Sequence, residues 1–305
     1  MTGAVGSSAA VRRVGSPAAY WAAARPHTLP AAAVPVLVGT ALALRDGLFA
    51  PLPALAALAG ALLLQVGTNL VNDADDFERG ADDARRLGPP RMVQSGLLGA
   101  AQVRRAAYLA FGAAALVGVY LIAHAGWPIL LLGTASIAAG LAYTGGPWPL
   151  GYHGLGDLFV FLFFGLAAVC GTYFVQVGAV TATVVAAAAA VGALATAILV
   201  VNNLRDAETD CDAGKRTLVV LLGDRFGRAQ YVALLAFAHA VPPLFWLLGT
   251  AGPGVLLGLL PLPFAFVLGR TVLAGESGGA LNALLRDTAR LELVFGVMFA
   301  AGLLL

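Results

Sequence analysis

Residues 69–83 have the sequence NLVNDADDFERGADD, which holds six carboxylates and two asparagines. The residues before them form a long apolar run, and charged residues make up only 11% of the chain. Carboxylates beside hydrocarbon are costly unless a counter-charge neutralises them. The cluster therefore indicates a functional site at the end of an apolar segment.

The composition and the apolar runs predict an integral membrane protein. Sixty per cent of the 305 residues are hydrophobic, and a helical run of about 17–25 such residues can cross a hydrocarbon core of about 30 Å. These runs are continuous rather than alternating, which excludes a transmembrane barrel. We therefore expect an all-α fold with nine transmembrane helices. The runs lie near residues 28–44, 51–71, 103–123, 127–143, 156–176, 180–204, 229–249, 252–270 and 289–305.

The basic residues predict how the protein is oriented in the membrane. With nine spans and a cytoplasmic N-terminus, 17 of the 18 basic residues fall on the cytoplasmic side, and Arg45 is the exception. Because Lys and Arg are enriched in cytoplasmic loops, we expect a multi-pass protein of the cell membrane whose acidic clusters face the cytoplasm. Residues 1–16 are small and polar and predict a disordered tail. Residues 17–305 form a single predicted transmembrane domain.

The acidic pattern N-x-x-x-D-x-x-x-(G/D)-x-D occurs twice in the chain. The two copies are 130 residues apart, and four predicted spans separate their helices. We therefore expect a parallel internal repeat, with both acidic clusters at the cytoplasmic ends of their helices. The matched positions are Asn72, Asp76, Gly80 and Asp82 in the first copy, and Asn202, Asp206, Asp210 and Asp212 in the second.

The two motifs predict a magnesium site. Side chains four residues apart share one face of a helix, so the motifs can present two acidic faces to each other, which requires a cation between them. Oxygen ligands without His or Cys favour Mg²⁺ before Ca²⁺, and Mg²⁺ completes its shell with water and substrate phosphate. The expected ligands are Asp73, Asp76, Asp206 and Asp210. A solvated loop balanced by arginines is the alternative for the outer acids Asp75, Glu78, Asp82 and Asp83.

Basic residues beside Gly and Pro follow each acidic cluster, in GPPRMVQSG at 88–96 and in AGKRTLVV at 213–220. Arginine and lysine side chains are the usual partners of phosphate oxygens. We therefore expect Arg91, Lys215 and Arg216 to bind a diphosphate. The alternative is that they are ordinary anchors at the membrane surface.

The segment AYTGGPWPLGYHGLGD at 142–157 contains no Lys or Arg and predicts an irregular loop. Its aromatic residues include Tyr143, Trp148 and Tyr152, whose π faces could stabilise a carbocation that forms beside a diphosphate. An interfacial aromatic belt is the alternative. Asp157 is either a polar loop residue or a group that positions a substrate hydroxyl.

These motifs together resemble the UbiA superfamily of intramembrane prenyltransferases. The resemblance covers nearly the whole chain, including RPHTLPAAAVPVLVG at 25–39, NNLRDAETDCDAGKRTL at 202–218 and LNALLRDTARLELVFG at 281–296. It implies nine helices around a central cavity, Mg²⁺ and a polyprenyl diphosphate donor. Within the superfamily the chain looks most like the branch that prenylates 1,4-dihydroxy-2-naphthoate in the menaquinone pathway. That branch releases CO₂ and diphosphate and gives demethylmenaquinone.

We assign the candidate site residues in three groups. The catalytic group comprises Asp73, Asp76, Asp206, Asp210 and Tyr143. The diphosphate-binding group comprises Asn72, Arg91, Asn202, Lys215 and Arg216. The acceptor-binding group comprises Arg25, Asn69 and Asp157. Many members of the superfamily carry an acid where this chain has Gly80, and here Asp82 follows two residues later. Asp212 is an extra acid of the second motif. Both are additional metal-ligand candidates.

Other functions remain open from the sequence. A different aromatic acceptor such as 4-hydroxybenzoate would use the same donor site. A membrane transporter also keeps acids beside a cavity, but it has no need for two aspartate motifs that are each followed by phosphate-binding basic residues.

Overall fold

The computed structural model describes residues 14–82 and 85–305, and within these ranges the regular structure is entirely helical. Residues 1–13 of the predicted tail, and Asp83, lie outside the described residues. The twelve α-helical segments are α1 Pro17–Ala23, α2 Leu29–Arg45, α3 Pro51–Glu78, α4 Ala100–Ala125, α5 Trp127–Ala142, α6 Gly156–Val160, α7 Ala168–Val177, α8 Ala182–Asp212, α9 Leu218–Leu222, α10 Asp224–Leu247, α11 Leu262–Leu273 and α12 Leu281–Leu303. A π-helical segment, Phe161–Ala167, joins α6 to α7, so Gly156–Val177 is one continuous helix.

Seven helical segments of the described chain are long and apolar enough to cross a membrane. They are Pro17–Arg45, Pro51–Glu78, Ala100–Ala125, Gly156–Val177, Ala182–Asp212, Asp224–Leu247 and Pro253–Leu273. The other two expected spans are also helical. Helix α5 has only 16 residues, and α12 carries charged side chains such as Arg286 and Glu292 among its apolar residues, which lowers its hydropathy. These helices establish the chain as an all-helical membrane protein.

Helix α8 lies at the centre of the largest hydrophobic core. Its many alanine side chains are buried against its neighbours, and small side chains allow membrane helices to approach closely. A Cβ atom on Gly165 would lie 2.6 Å from the Cα of Gly192. Glycine is therefore required where the π-helical segment crosses α8, and this contact fixes the wall beside the site.

Both acidic motifs lie at the C-terminal ends of long helices. Asp76 is two residues before the end of α3, and Asp210 is two residues before the end of α8. The chain reverses between α4 and α5 at Gly126, whose φ of 85° is readily adopted only by glycine. This hairpin lies at the opposite end of the bundle from the acidic motifs.

Candidate active site

A small polar cavity of about 20 Å³ lies between the C-terminal ends of α3 and α8 and the loops that follow them. Its walls bring both sequence motifs together and contain acidic and basic side chains. The acidic residues are Asp76, Asp82, Asp206 and Asp210. The basic residues are Arg86, Arg91 and Lys215. Asn202 also lines this cavity.

The first motif contributes Asp76 and Asp82. The Tyr152 hydroxyl donates a hydrogen bond to Asp76 Oδ1 at 2.9 Å, and Arg91 Nη2 is 3.8 Å from the other oxygen of Asp76. Asp82 is paired with Arg86 and also lies 3.0 Å from Arg91 Nε. Burial raises the pKa of the Asp82 carboxyl to about 6, against the opposing effect of Arg86. Arg91 thus lies between the two acids of this motif.

In the second motif, Arg205 makes a bidentate ion pair with Asp206, with N–H···O distances of 2.8 and 2.5 Å. The same buried guanidinium donates to Asn202 Oδ1 at 2.7 Å and to Asn282 Oδ1 at 3.0 Å. A Cβ atom on Gly88 would lie 2.8 Å from Arg205 Nη2, so glycine at this position lets the loop after the first motif approach the guanidinium. Arg205 was not among the predicted site residues. The signal for it was its position within a long apolar helix, where an arginine needs a specific partner.

Asn282 connects this arginine to the loop after the first motif. Its side-chain nitrogen donates to the carbonyl oxygen of Leu87 at 2.8 Å, while its oxygen accepts from Arg205. The first turn of α12 therefore joins α8 to the loop that carries Arg91.

Asp210 and Lys215 form the third charged pair. Lys215 Nζ lies 3.2 Å from Asp210 Oδ1, while Asp210 Oδ2 is buried without a hydrogen-bond partner among the described residues. Burial opposes the positive charge of Lys215, but Asp210 and neighbouring carboxylates outweigh burial and raise its pKa. The ammonium group also lies 5.8 Å from the centre of the Tyr152 ring.

Asp73 differs from the predicted metal ligand. It is fully buried, and its two oxygens accept backbone N–H bonds from Met92 at 3.0 Å and from Val93 at 3.2 Å. The carboxylate is therefore directed at the loop that follows Arg91, and it is not part of the polar cavity's wall. Asp73 therefore holds this loop against α3.

Three other predicted site residues also lie outside the polar cavity. The Arg216 side chain is exposed, and Asp212 makes an exposed salt bridge of 2.7 Å with Arg85. Asp157 is buried and accepts a hydrogen bond of 3.0 Å from Gln230, so it is directed at α10. These positions differ from the predicted contacts with substrate or metal.

Two of the outer acids, Asp75 and Glu78, agree with the interpretation of surface acids balanced by arginine, whereas Asp82 is buried in the wall of the polar cavity. Asp75 and Glu78 each lie 2.7 Å from Arg104 Nη2, and Glu78 is half exposed. This arginine belongs to α4, so the group is a surface ion-pair network between α3 and α4.

A second, apolar cavity of about 530 Å³ adjoins the polar one. Asn72 lines the apolar cavity and Asp76, one turn later on α3, lines the polar cavity. On α8, Leu199 and Asn202 have the same relationship. The two cavities therefore meet along both motif helices, with charged groups at one end and hydrocarbon side chains at the other.

Tyr143 lines the apolar cavity near this junction. A tyrosine hydroxyl is protonated at neutral pH, so the side chain is a neutral phenol. Phe159 and Phe163 line the same cavity and stack with a ring separation of 5.9 Å. Trp148, in contrast, is exposed and stacks on His153.

The two remaining acceptor candidates hold the N-terminal segment. Asn69 Nδ2 donates to the carbonyl oxygen of Ala24 and to the Thr28 hydroxyl, both at 2.9 Å. Arg25 Nη2 donates to the backbone oxygen of Asn69 at 3.3 Å. Asn69 lines the apolar cavity, together with Asn72, whose side-chain oxygen accepts from the Thr144 hydroxyl at 2.8 Å.

The polar cavity fits a divalent cation held partly by substrate. Across residues 14–82 and 85–305, no three acidic, His or Cys side chains converge as a complete metal site. Mg²⁺ needs only one or two protein carboxylates when a phosphate and water supply the rest of its shell. The unpartnered oxygen of Asp210 and the all-oxygen acidic donors match that requirement.

The sequence is similar to that of known enzymes over most of its length. A 1,4-dihydroxy-2-naphthoate octaprenyltransferase from Mycobacterium tuberculosis is 42% identical over 287 residues, which cover 93% of this chain and 97% of that protein. The octaprenyltransferase of the same name from Escherichia coli is 38% identical and covers 92% of this chain and 93% of its own length.

The fold is also similar to that of solved structures. A UbiA homolog from Archaeoglobus fulgidus, bound to DMAPP and Mg²⁺, matches with a TM-score of 0.66 at 14% identity, covering 92% of this chain and 98% of the homolog. The sequence model of the UbiA prenyltransferase family matches residues 32–294. The chain belongs to the UbiA prenyltransferase family.

Proposed function

We propose that the protein transfers a polyprenyl group from polyprenyl diphosphate to 1,4-dihydroxy-2-naphthoate, with release of CO₂ and diphosphate. The junction of a charged cavity with a large apolar cavity carries this proposal, because a prenyl diphosphate has a charged head on a hydrocarbon tail. The names of the two bacterial relatives support the naphthoate acceptor.

Asp76, Asp206 and Asp210 would hold Mg²⁺ together with the donor's diphosphate. When bound, Mg²⁺ supplies Lewis-acid stabilisation for the charge of the leaving diphosphate. Asn202 lies on the same face of α8 as Asp206. Asp73 holds the 91–96 loop instead. Asp212 lies at the surface in a pair with Arg85, and Asp82, although it lines the cavity, is engaged by both Arg86 and Arg91.

Arg91 and Lys215 would bind the diphosphate oxygens. Arg91 Nη1 is buried without a hydrogen-bond partner among the described residues, so it can donate to a ligand without breaking a bond. Lys215 has a point charge that can move from Asp210 to a phosphate oxygen. Arg216 would contribute only through its surface charge, since its side chain is exposed and its backbone N–H donates to the carbonyl oxygen of Tyr152.

The apolar end of the site would protect and stabilise the allylic cation. Ionisation of the carbon–oxygen bond leaves the positive charge at the junction of the cavities, where Tyr143 presents its ring. Hydrocarbon walls exclude water, which would otherwise capture the cation. The electron-rich naphthoate ring then forms the new carbon–carbon bond, and loss of CO₂ and a proton restores its aromaticity.

Asn72 and Asn69 are polar side chains in the wall of the apolar cavity, where the acceptor would bind. Arg25 lies beside Asn69 and would attract the carboxylate of the acceptor. Asp157 would not contact the acceptor, because its side chain accepts a hydrogen bond from Gln230 on α10.

The fold arrangement that we propose has nine transmembrane helices, with α5 and α12 as the two less typical spans. Both motif helices end at the polar cavity, which supports a parallel repeat. The basic residues at this end support a cytoplasmic site in the cell membrane, with the N-terminus on the same side. Residues 17–305 would form one domain after a disordered tail.

The test is an acceptor comparison. Membranes containing the protein are incubated with octaprenyl diphosphate, Mg²⁺ and either dihydroxynaphthoate or 4-hydroxybenzoate, and products are identified by mass. We expect a decarboxylated prenyl naphthoquinol that requires both Mg²⁺ and the naphthoate. Prenylated benzoate as the main product would assign the other acceptor, and no consumption of donor would contradict prenyl transfer.

A further inference from the structure

Tyr152 is a buried aromatic residue of the loop that joins α5 to α6. The sequence predicts that its ring could face a carbocation, but among the described residues Tyr152 lines neither the apolar nor the polar cavity. Its contacts are instead with charged side chains of the polar cavity. These contacts give the side chain a different role from that of Tyr143.

The hydroxyl of Tyr152 holds one oxygen of Asp76 in place. It donates to Asp76 Oδ1 at 2.9 Å, while Asp76 Oδ2 lies 3.8 Å from Arg91 Nη2. That second distance exceeds the range of about 2.7–3.2 Å for a direct hydrogen bond, and Arg91 Nη1 has no hydrogen-bond partner within the described residues. The tyrosine therefore accompanies an acid and a base that face each other without closing into a direct pair.

The ring of Tyr152 lies beside two cations. Lys215 Nζ is 5.8 Å and Arg79 Cζ is 5.4 Å from the ring centroid, and an aromatic face attracts a cation within about 6 Å. Lys215 follows the second motif and lies 3.2 Å from Asp210 Oδ1. One side chain thus contacts an acid of the first motif through its hydroxyl and a cation of the second motif through its ring.

The main chain around Tyr152 is fixed by both motif ends. Its carbonyl oxygen accepts the N–H of Arg216 at 3.1 Å, which ties it to the loop after the second motif. Arg79, which follows the first motif, donates to the carbonyl oxygens of Thr144 and Gly146 in the same loop as Tyr152. A residue held in this way has the fixed position that is needed to orient a neighbouring ligand.

A second tyrosine–aspartate hydrogen bond lies far from the polar cavity. The Tyr173 hydroxyl donates to Asp46 Oδ2 at 2.6 Å, at the C-terminal end of α2. Both tyrosines are buried, but neither Tyr173 nor Asp46 lines a described cavity. This pair provides a matched control for the loss of a tyrosine hydroxyl from an aspartate.

We propose that Tyr152 is a positioning residue that keeps Asp76 and Arg91 apart, so that Asp76 stays available to Mg²⁺ and Arg91 to the diphosphate. Its ring holds Lys215 for the same diphosphate. This inference rests on the proposed prenyl transfer. Without the hydroxyl, the opposite charges of Asp76 and Arg91 would close into a direct ion pair, and that pair would compete with both the metal ion and the diphosphate.

The experiment measures ligand binding without turnover. Inorganic pyrophosphate is titrated, at a fixed Mg²⁺ concentration, into the full-length protein in lipid nanodiscs, and its Kd is determined by calorimetry. Tyr152→Phe removes the hydroxyl and keeps the ring, Tyr152→Leu removes both, and Tyr173→Phe is the control. Thermal unfolding of each variant is recorded beside the titration, so that binding is compared among folded proteins.

For Tyr152→Phe we expect the Kd of pyrophosphate to rise about tenfold, as is typical when a partner of a metal ligand is lost. Tyr152→Leu should lose about a further threefold, because Lys215 no longer has the aromatic face. Tyr173→Phe should stay within about twofold of the unmodified protein, since distant sites act independently. An unchanged Kd in Tyr152→Phe, or an equal rise in Tyr173→Phe, would overturn the inference.

A double-variant cycle tests the competing ion pair directly. In an Arg91→Gln background no guanidinium is present to pair with Asp76, so the further change Tyr152→Phe should alter the Kd by less than about threefold. A full tenfold effect in that background would contradict the role assigned to the hydroxyl. An unmodified protein that binds no pyrophosphate would instead contradict the proposed function, whereas equal binding by all variants would overturn only the inference about Tyr152.

Discussion

The ammonium group of Lys215 lies 3.2 Å from one oxygen of Asp210, whose other oxygen has no hydrogen-bond partner in the described residues. A buried carboxylate that keeps one oxygen unpaired is able to accept a cation. This pair distinguishes Asp210 from Asp212 at the end of the same helix.

We therefore expect Asp210→Asn to lower kcat at least about a hundredfold, since metal-assisted charge stabilisation is worth several kcal/mol. Asp212→Asn, which removes an exposed salt bridge, should keep kcat within about twofold. Steady-state rates at saturating Mg²⁺ provide the measurement. Equal losses in both variants would argue against a special role for Asp210.

Asp73→Asn should affect folding stability more than metal dependence. An amide can accept only one of the two backbone N–H bonds from Met92 and Val93, so we expect a loss of about 1–3 kcal/mol. Asp75→Asn, in the surface network with Arg104, is the control and should cost at most about 1 kcal/mol. Thermal unfolding and Mg²⁺ titration of the rate are measured together. A large increase in the Mg²⁺ requirement for Asp73→Asn would restore the predicted ligand role.

Asn282 should act as a positioning residue through Arg205. Asn282→Ala removes the acceptor for Arg205 Nη1 and the donor to Leu87, and we expect kcat to fall about tenfold as Asp206 loses its orientation. Asn282→Asp retains an acceptor for Arg205 and should recover most of this loss, even though the bond to Leu87 is lost. The measurement is the kcat of each variant, compared at equal folded fractions. Failure of Asn282→Asp to exceed Asn282→Ala would show that the loop contact matters more.

The ring of Tyr143 should matter more than its hydroxyl. A tyrosine hydroxyl is neutral at neutral pH and is not expected to transfer a proton here. Tyr143→Phe should therefore retain kcat within about threefold, whereas Tyr143→Leu should lose about tenfold or more, as expected for a desolvated cation–π contact. Single-turnover rates with a geranyl donor report on this step. The reverse order would assign the function to the hydroxyl.

The helical membrane fold was predictable because each span is a continuous apolar run, and that prediction is confirmed. The sequence pattern treated α5 and α12 as equivalent to the other spans, but α5 is short and α12 carries several charges. An apolar run does not show how deeply a helix is packed: α5 has two buried residues, Ile129 and Gly140, whereas α12 has eleven. Helix packing decides their positions.

The site was predictable to the level of motifs. Helical spacing predicted that the two motifs face each other, and Asp76, Asp206 and Asp210 line one cavity. The spacing could not tell that Asp73 is directed at a loop. That distinction depends on how residues 91–96 fold back over α3. The helical periodicity of the sequence carries no information about such a tertiary contact. Arg205 was not predicted, because basic residues are expected in the cytoplasmic loops, whereas this arginine lies within α8.

Every carboxylate of the polar cavity has a basic partner from the same chain: Arg91, Arg86, Arg205 and Lys215 accompany Asp76, Asp82, Asp206 and Asp210. The protein can therefore complete its insertion and packing before it acquires any ion. A shortage of magnesium would then slow turnover while leaving the amount of intact protein in the membrane unchanged.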